Sequence, residues 1–253
     1  MTKKSILCIV EGEVSEVKIL NKINKEYIGE NIEFVPIRTN IYHFYHAYLK
    51  YYDNEIDNNN ETFLFLQEYD KSGVIKHKKR RDFLAIYLFM DLDRHEPLAQ
   101  DYLNCLPAML SIFNNHSENG KLYISYPMVE AFQHPILGKE TSLIELGSQY
   151  KTYINQNRLK EFSGIKFISK ENLNLSFIAY IKQMNYLLSD VFNFPQDYQI
   201  DDWSQSNVYA NQLNKYIKPN NEVLVLSPFS LFLLEYLGEK LFNEWQAINN
   251  ESI

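Results

Sequence analysis

Cysteine is scarce in this chain. Only Cys8 and Cys105 occur among 253 residues, which excludes a disulfide framework and a cysteine-ligated zinc site. Cys8 sits inside the apolar run Ile6–Val10, where a small buried thiol is the ordinary occupant. Long hydrophobic runs are missing too: none approaches the roughly 20 residues that a spanning helix needs. The opening Met1-Thr2-Lys3-Lys4 leads into a stretch too brief for a signal h-region and without a small-residue cleavage site. A cytoplasmic location with no membrane association is the expectation. Positive charge is also in deficit, with 25 Lys and Arg against 32 Asp and Glu and a net charge of −7. That balance argues against a protein that coats nucleic acid by bulk attraction. It leaves room for an enzyme that concentrates carboxylates at a metal and grips phosphate locally. No internal repeat stands out, and the one low-complexity tract is Asn58-Asn59-Asn60.

What is present suits a folded protein with a real core. Hydrophobic residues make up 45% and charged residues 23%, enough for one large domain or a compact core carrying an insertion. Aromatic residues reach 15%, mostly 19 Tyr and 16 Phe. These read as a tyrosine-rich core or partner surface, with stacking platforms for bases as the alternative. The run Ile6–Val10 is continuous and apolar, as for a strand buried on both faces. It ends at Glu11-Gly12-Glu13, and the spacing of Val17, Leu20 and Ile23 then predicts a helix. Residues 34–37 read as an edge strand, because Pro36 cannot donate to a ladder. An aromatic helix over 42–52 and a polar loop over 53–61 follow. A second buried strand, Phe83–Met90, runs directly into Asp91-Leu92-Asp93. Helical residues 97–113 come next, with Pro97 suited to a first turn.

A further strand is predicted over 121–126, and residues 222–226 repeat the buried pattern. Ser227-Pro228 then reads as an N-cap with proline opening a helix over 229–245. Strands alternating with helices imply an α/β fold with a mostly parallel sheet flanked by helices. The expected organisation is a core over 1–140, a mainly helical insertion over 141–216 with Ile178, Ile181, Met184, Leu187 and Leu188 on one face, and a last strand and helix over 217–253 returning to the core.

Function in such sheets gathers outside the carboxyl ends of the strands. Parallel packing would bring Glu11, Asp91 and Asp93 to one edge, and Asp91 and Asp93 point the same way in extended backbone because side chains alternate with a period of two. Convergent carboxylate oxygens suit Mg²⁺, a hard cation that keeps several waters, and the ion relieves their mutual repulsion. The competing reading is that acidic residues at strand ends cap helices or face water.

Val10-Glu11-Gly12 before a helix, with an apolar strand ending in Asp91-Leu92-Asp93, resembles the TOPRIM domain of topoisomerases, bacterial primases and OLD-family nucleases. The resemblance covers the sheet core, about half the chain, and implies a TOPRIM-like fold. It implies Glu11 as general acid or base, and Asp91 with Asp93 as ligands of Mg²⁺, with Mn²⁺ as a substitute. OLD-like nucleases carry a second acidic residue soon after the first, matched by Glu16 or alternatively by Glu13. They also carry a Ser and a Glu after a following strand, which Ser125 and Glu130 echo, making Glu130 a further metal-ligand candidate. The context Asp93-Arg94-His95-Glu96 departs from the small residues common there.

Overall the chain is similar to the stand-alone TOPRIM effectors encoded beside ABC-type ATPases in anti-phage systems of the abortive-infection or PARIS kind. That similarity implies an ABC/SMC-like ATPase partner and a nuclease that cleaves tRNA or DNA; a homo-oligomer is a separate expectation. His95, two residues past Asp93, is a candidate for proton transfer or phosphate contact, or a plain surface histidine. His134 is a weaker parallel.

The dense basic run Lys76, Lys78, Lys79, Arg80 and Arg81 would bind nucleic-acid phosphates just upstream of the metal-bearing strand, or form a solvated loop. His43 and His46, in the Tyr42–His46 cluster, lack a third ligand, and the cluster reads as packing. Two other functions compete with cleavage: an Asp-x-Asp metal-nucleotide transferase, in which Glu11-Gly12 has no task, and a catalytically inert TOPRIM-shaped subunit that docks a partner.

Overall fold

The structure is a computed structural model, and it describes residues 4–55, 61–92, 102–134 and 142–251. The chain is α/β, with a five-stranded, mostly parallel sheet flanked by helices. It divides into two compact units, residues 1–123 and 124–253. The expected boundary at 140 therefore moves upstream, into the strand Gly120–Ser125.

The strands of the five-stranded sheet are β1 (Ser5–Val10), β2 (Ile32–Pro36), β3 (Phe83–Asp91), β4 (Asn114–Asn115) and β5 (Gly120–Ser125), in the order β2-β1-β3-β5-β4. β1 pairs parallel with β2 and with β3, Val10 lying opposite Pro36 on one side and Phe89 on the other. Every residue of β1 is buried, which is why its sequence is an apolar run instead of an alternation. α1 (Ser15–Ile23) follows β1, and α2 (Ile41–Tyr51) is capped by Asn40, whose side chain accepts from the His43 N–H. α3 (Thr62–Tyr69) was not expected, and α4 (Tyr102–Ile112) begins where description resumes, so Pro97 lies outside the described residues.

The aromatic surplus is largely core. Phe44 and Tyr48 of α2 meet Phe65 of α3 at 5.3 and 5.2 Å, and both reach Phe113. Tyr42 and Tyr45 are buried as well, in keeping with the packing reading of that cluster.

The C-terminal unit is mostly helical. It contains β6 (Leu143–Glu145), α5 (Tyr150–Asn157), α6 (Lys170–Ser189) and α7 (Gln205–Gln212), which runs through a π turn into the single turn α8 (Lys218–Asn220). β7 (Glu222–Leu224), α9 (Phe229–Leu237) and α10 (Glu239–Glu251) complete it. The expected return of 217–253 to the main sheet is not what forms. β7 pairs antiparallel with β6 in a separate two-stranded sheet, Leu224 opposite Leu143, and Leu226 bridges Tyr126. A strand of three residues with only Val223 and Leu224 buried suits any sheet edge, so its pattern does not name its partner. The expected helix over 229–245 is broken at Gly238, whose φ of 72° lies in the left-handed region that glycine occupies at little cost. Ser227 does not cap it; Pro228 stands at the N-cap without a side-chain hydrogen bond.

Candidate active site

β1, β2 and β3 run the same way, so the residues that follow them emerge on one edge. With β1 lying between β2 and β3, the chain leaves β1 toward one neighbour and later returns on the other side. The carboxyl end of β1 is thus a topological switch point, the crevice where open α/β sheets bind ligands. Glu11 immediately follows β1 and Asp91 ends β3.

Hydrogen bonds tie the two positions together. The Glu11 N–H donates to the Phe89 carbonyl at 3.2 Å, and Glu11 Oε2 accepts the Asp91 N–H at 3.0 Å. Both residues are half-buried. Beyond Asp91, the Tyr42 hydroxyl, buried on α2, donates to the Leu92 carbonyl at 2.7 Å. Fifty residues of sequence separate Tyr42 from Leu92, so the bond staples α2 to the chain just past the acidic strand end. The aromatic pattern of the sequence marks Tyr42 only as a packing residue.

The turn after Glu11 explains Gly12 and Glu16. The Gly12 N–H donates to Glu16 Oε1 at 3.0 Å, and Glu16 is only 4% exposed. A Cβ on Gly12 would lie 3.0 Å from Glu16 Oε2, so glycine lets the carboxylate close over the turn. Glu16 also stands in the first turn of α1, where a negative charge suits the helix N-terminus. Its described role is to brace the turn. Glu13 faces outward and takes the Arg38 guanidinium, accepting from Nε at 2.7 Å and from Nη2.

Asp93 and His95 lie outside the described residues. Among the described residues no group of three His, Cys, Asp or Glu side chains is disposed to hold a metal ion. Glu11 and Asp91 are nonetheless hard oxygen donors at one strand-end pair, and Mg²⁺ commonly takes one or two carboxylates and completes its shell with water and substrate phosphate. The donor set fits that ion to this extent.

The basic run is close to Asp91 in sequence and far from it in space. Lys76 to Arg81 precede the first residue of β3 whereas Asp91 is its last, and a nine-residue strand puts roughly 25 Å between its ends. Its members divide by task. Arg80 clamps the loops at the amino edge, donating to the carbonyls of Phe83, His116 and Glu118 at 3.0–3.1 Å, and burial lowers its pKa. Lys78 pairs with Glu33 at 3.2 Å, while Lys76, Lys79 and Arg81 are exposed. A cavity of about 570 Å³ lies at this amino edge, lined by Phe63, Gln67, Lys79, Arg80 and Glu118 among others; neither Glu11 nor Asp91 lines it.

Glu130 belongs to the C-terminal unit, in the short 3₁₀ turn Val129–Gln133, and pairs with Lys151 at 3.0 Å. His134 is buried there against Tyr150, whose hydroxyl lies 3.1 Å from Nδ1. No described helix is long and apolar enough to cross a membrane. Compared with family models, curated proteins and solved structures, the chain matches none.

Proposed function

We propose that this chain is a divalent-metal-dependent phosphodiester-cleaving enzyme, a nuclease acting on tRNA or DNA as the effector of a bacterial anti-phage system under a partner ATPase. One observation carries the reading: Glu11 and Asp91 stand together at the switch point of the parallel sheet, joined by the bond from the Asp91 amide to the Glu11 carboxylate. The defence setting, the ATPase and a cytoplasmic location rest on the TOPRIM resemblance. Asp91, with Asp93 by sequence, would hold Mg²⁺ beside Glu11. Bound there, the ion supplies charge neutralisation at the scissile phosphate and a water of lowered pKa. Glu11 is oriented by its bond to the Asp91 amide and accepts a proton from the attacking water. Tyr42 fixes the backbone beyond Asp91, so that the strand end keeps its place beside Glu11.

The test is induced expression of wild type, Glu11→Gln and Asp91→Asn, with and without a neighbouring ATPase gene, followed by sizing of total tRNA and DNA. New fragments from wild type alone, lost by at least about 100-fold in both variants, are expected. Full activity in both folded variants sinks the proposal. Intact nucleic acid under every condition, phage challenge included, moves the assignment to an inert docking subunit. The burial of Glu16 inside its own turn is the feature that favours that second reading.

A further inference from the structure

A phosphodiester that approaches Glu11 and Asp91 brings negative charge to two carboxylates, and something cationic on the same edge must receive it. The lysine- and arginine-rich run at the opposite end of β3 is a strand's length away. Arg38 is in the right place. It follows β2 on the way to α2, and its N–H donates to the Glu11 carbonyl at 3.0 Å, next to the Ile37 N–H bond to Val10 at 2.9 Å. Its backbone therefore lies against the backbone of the candidate general base.

Two features of Arg38 are unexplained by the fold. Its φ is 54°, in the left-handed region where glycine or asparagine is the usual occupant and a long side chain is disfavoured. Its guanidinium is 63% exposed and pairs with Glu13, itself 51% exposed, and a pair so open to water adds little stability. Neither backbone nor ion pair calls for arginine. A phosphate does, because the planar guanidinium offers paired donors that match two phosphate oxygens.

We infer that Arg38 is a substrate-binding residue of this site, its guanidinium parked on Glu13 until a nucleic-acid phosphate takes the place of that carboxylate. The inference rests on the phosphodiesterase reading and adds to it the group that receives the substrate's charge.

The experiment measures binding of total tRNA and of a labelled DNA duplex to the full chain in Ca²⁺, across a range of salt, for wild type, Arg38→Gly and Glu13→Gln, with cleavage in Mg²⁺ alongside. Arg38→Gly removes the guanidinium and relaxes the backbone, so its thermal midpoint stays at or above that of wild type. It is expected to bind at least about tenfold more weakly, with a salt slope shallower by about 0.9, the value of one lost phosphate contact, and to raise KM more than it lowers kcat. Glu13→Gln releases the guanidinium and should tighten binding by about two- to fivefold, the worth of an exposed pair; a purely structural pair would give no gain. Wild type that binds and cleaves, beside an Arg38→Gly protein of equal affinity and slope, overturns the Arg38 assignment and leaves the nuclease standing. Wild type that neither binds nor cleaves, with or without an ATPase partner, removes both.

Discussion

Tyr42 carries its hydroxyl into the interior and donates it to the Leu92 carbonyl at 2.7 Å. Nothing in an aromatic helix pattern distinguishes a ring that merely packs from one whose hydroxyl reaches a particular carbonyl fifty positions on. Tyr42→Phe keeps the ring and deletes the bond. The buried carbonyl loses a donor, so unfolding in urea should show a loss of about 1–2 kcal/mol. If the bond also places the strand end, kcat for the cleaved nucleic acid falls while KM holds; unchanged kcat at reduced stability would make Tyr42 structural only. Gly12 is a comparable case, legible as a turn glycine, yet its reason is the Glu16 carboxylate that a Cβ would crowd.

At the level of elements, β7 depends on a side chain for half of its pairing. One edge takes β6. On the other, fully buried Gln212 stands in for a strand: its Nε2 donates to the Leu224 carbonyl at 2.7 Å and its Oε1 accepts the Leu224 N–H at 3.0 Å. Gln212→Ala leaves a buried donor and a buried acceptor without these bonds, and urea unfolding should register a loss of about 3 kcal/mol. A loss below about 1 kcal/mol would mean that water or a neighbour replaces the amide. α3 shows no helical period in the sequence because Leu64, exposed between buried Phe63 and Phe65, is apolar as well, so Phe63–Leu66 is an unbroken apolar run without polar contrast. The split of the last helix turned on one glycine at a positive φ.

At the level of the molecule, the two units carry separate natural probes. Cys8 and Cys105, the only cysteines, belong to the N-terminal unit and are buried; burial pushes the Cys8 thiol pKa up. Trp203 and Trp245, the only tryptophans, belong to the C-terminal unit and are buried too. A thiol reagent should therefore modify neither cysteine in the native protein and both after unfolding. In denaturant, Tyr42→Phe should shift the thiol-exposure midpoint and Gln212→Ala the fluorescence midpoint. Equal shifts of both midpoints in both variants would show that the chain unfolds as one cooperative body.

Local pattern by itself determined the strands β1 and β3 and placed an acidic residue at the end of each, because burial on both faces demands an unbroken apolar run, a property of contiguous residues. The parallel α/β class followed from the alternation of such runs with helices. Tertiary structure alone decided the order β2-β1-β3, which makes the end of β1 a switch point, and it sent the basic run to the opposite edge while bringing Arg38 beside Glu11. It also gave β7 to β6. These outcomes depend on which distant segments pair and on which carbonyl a side chain meets, and neither is written in the spacing of neighbours along the chain.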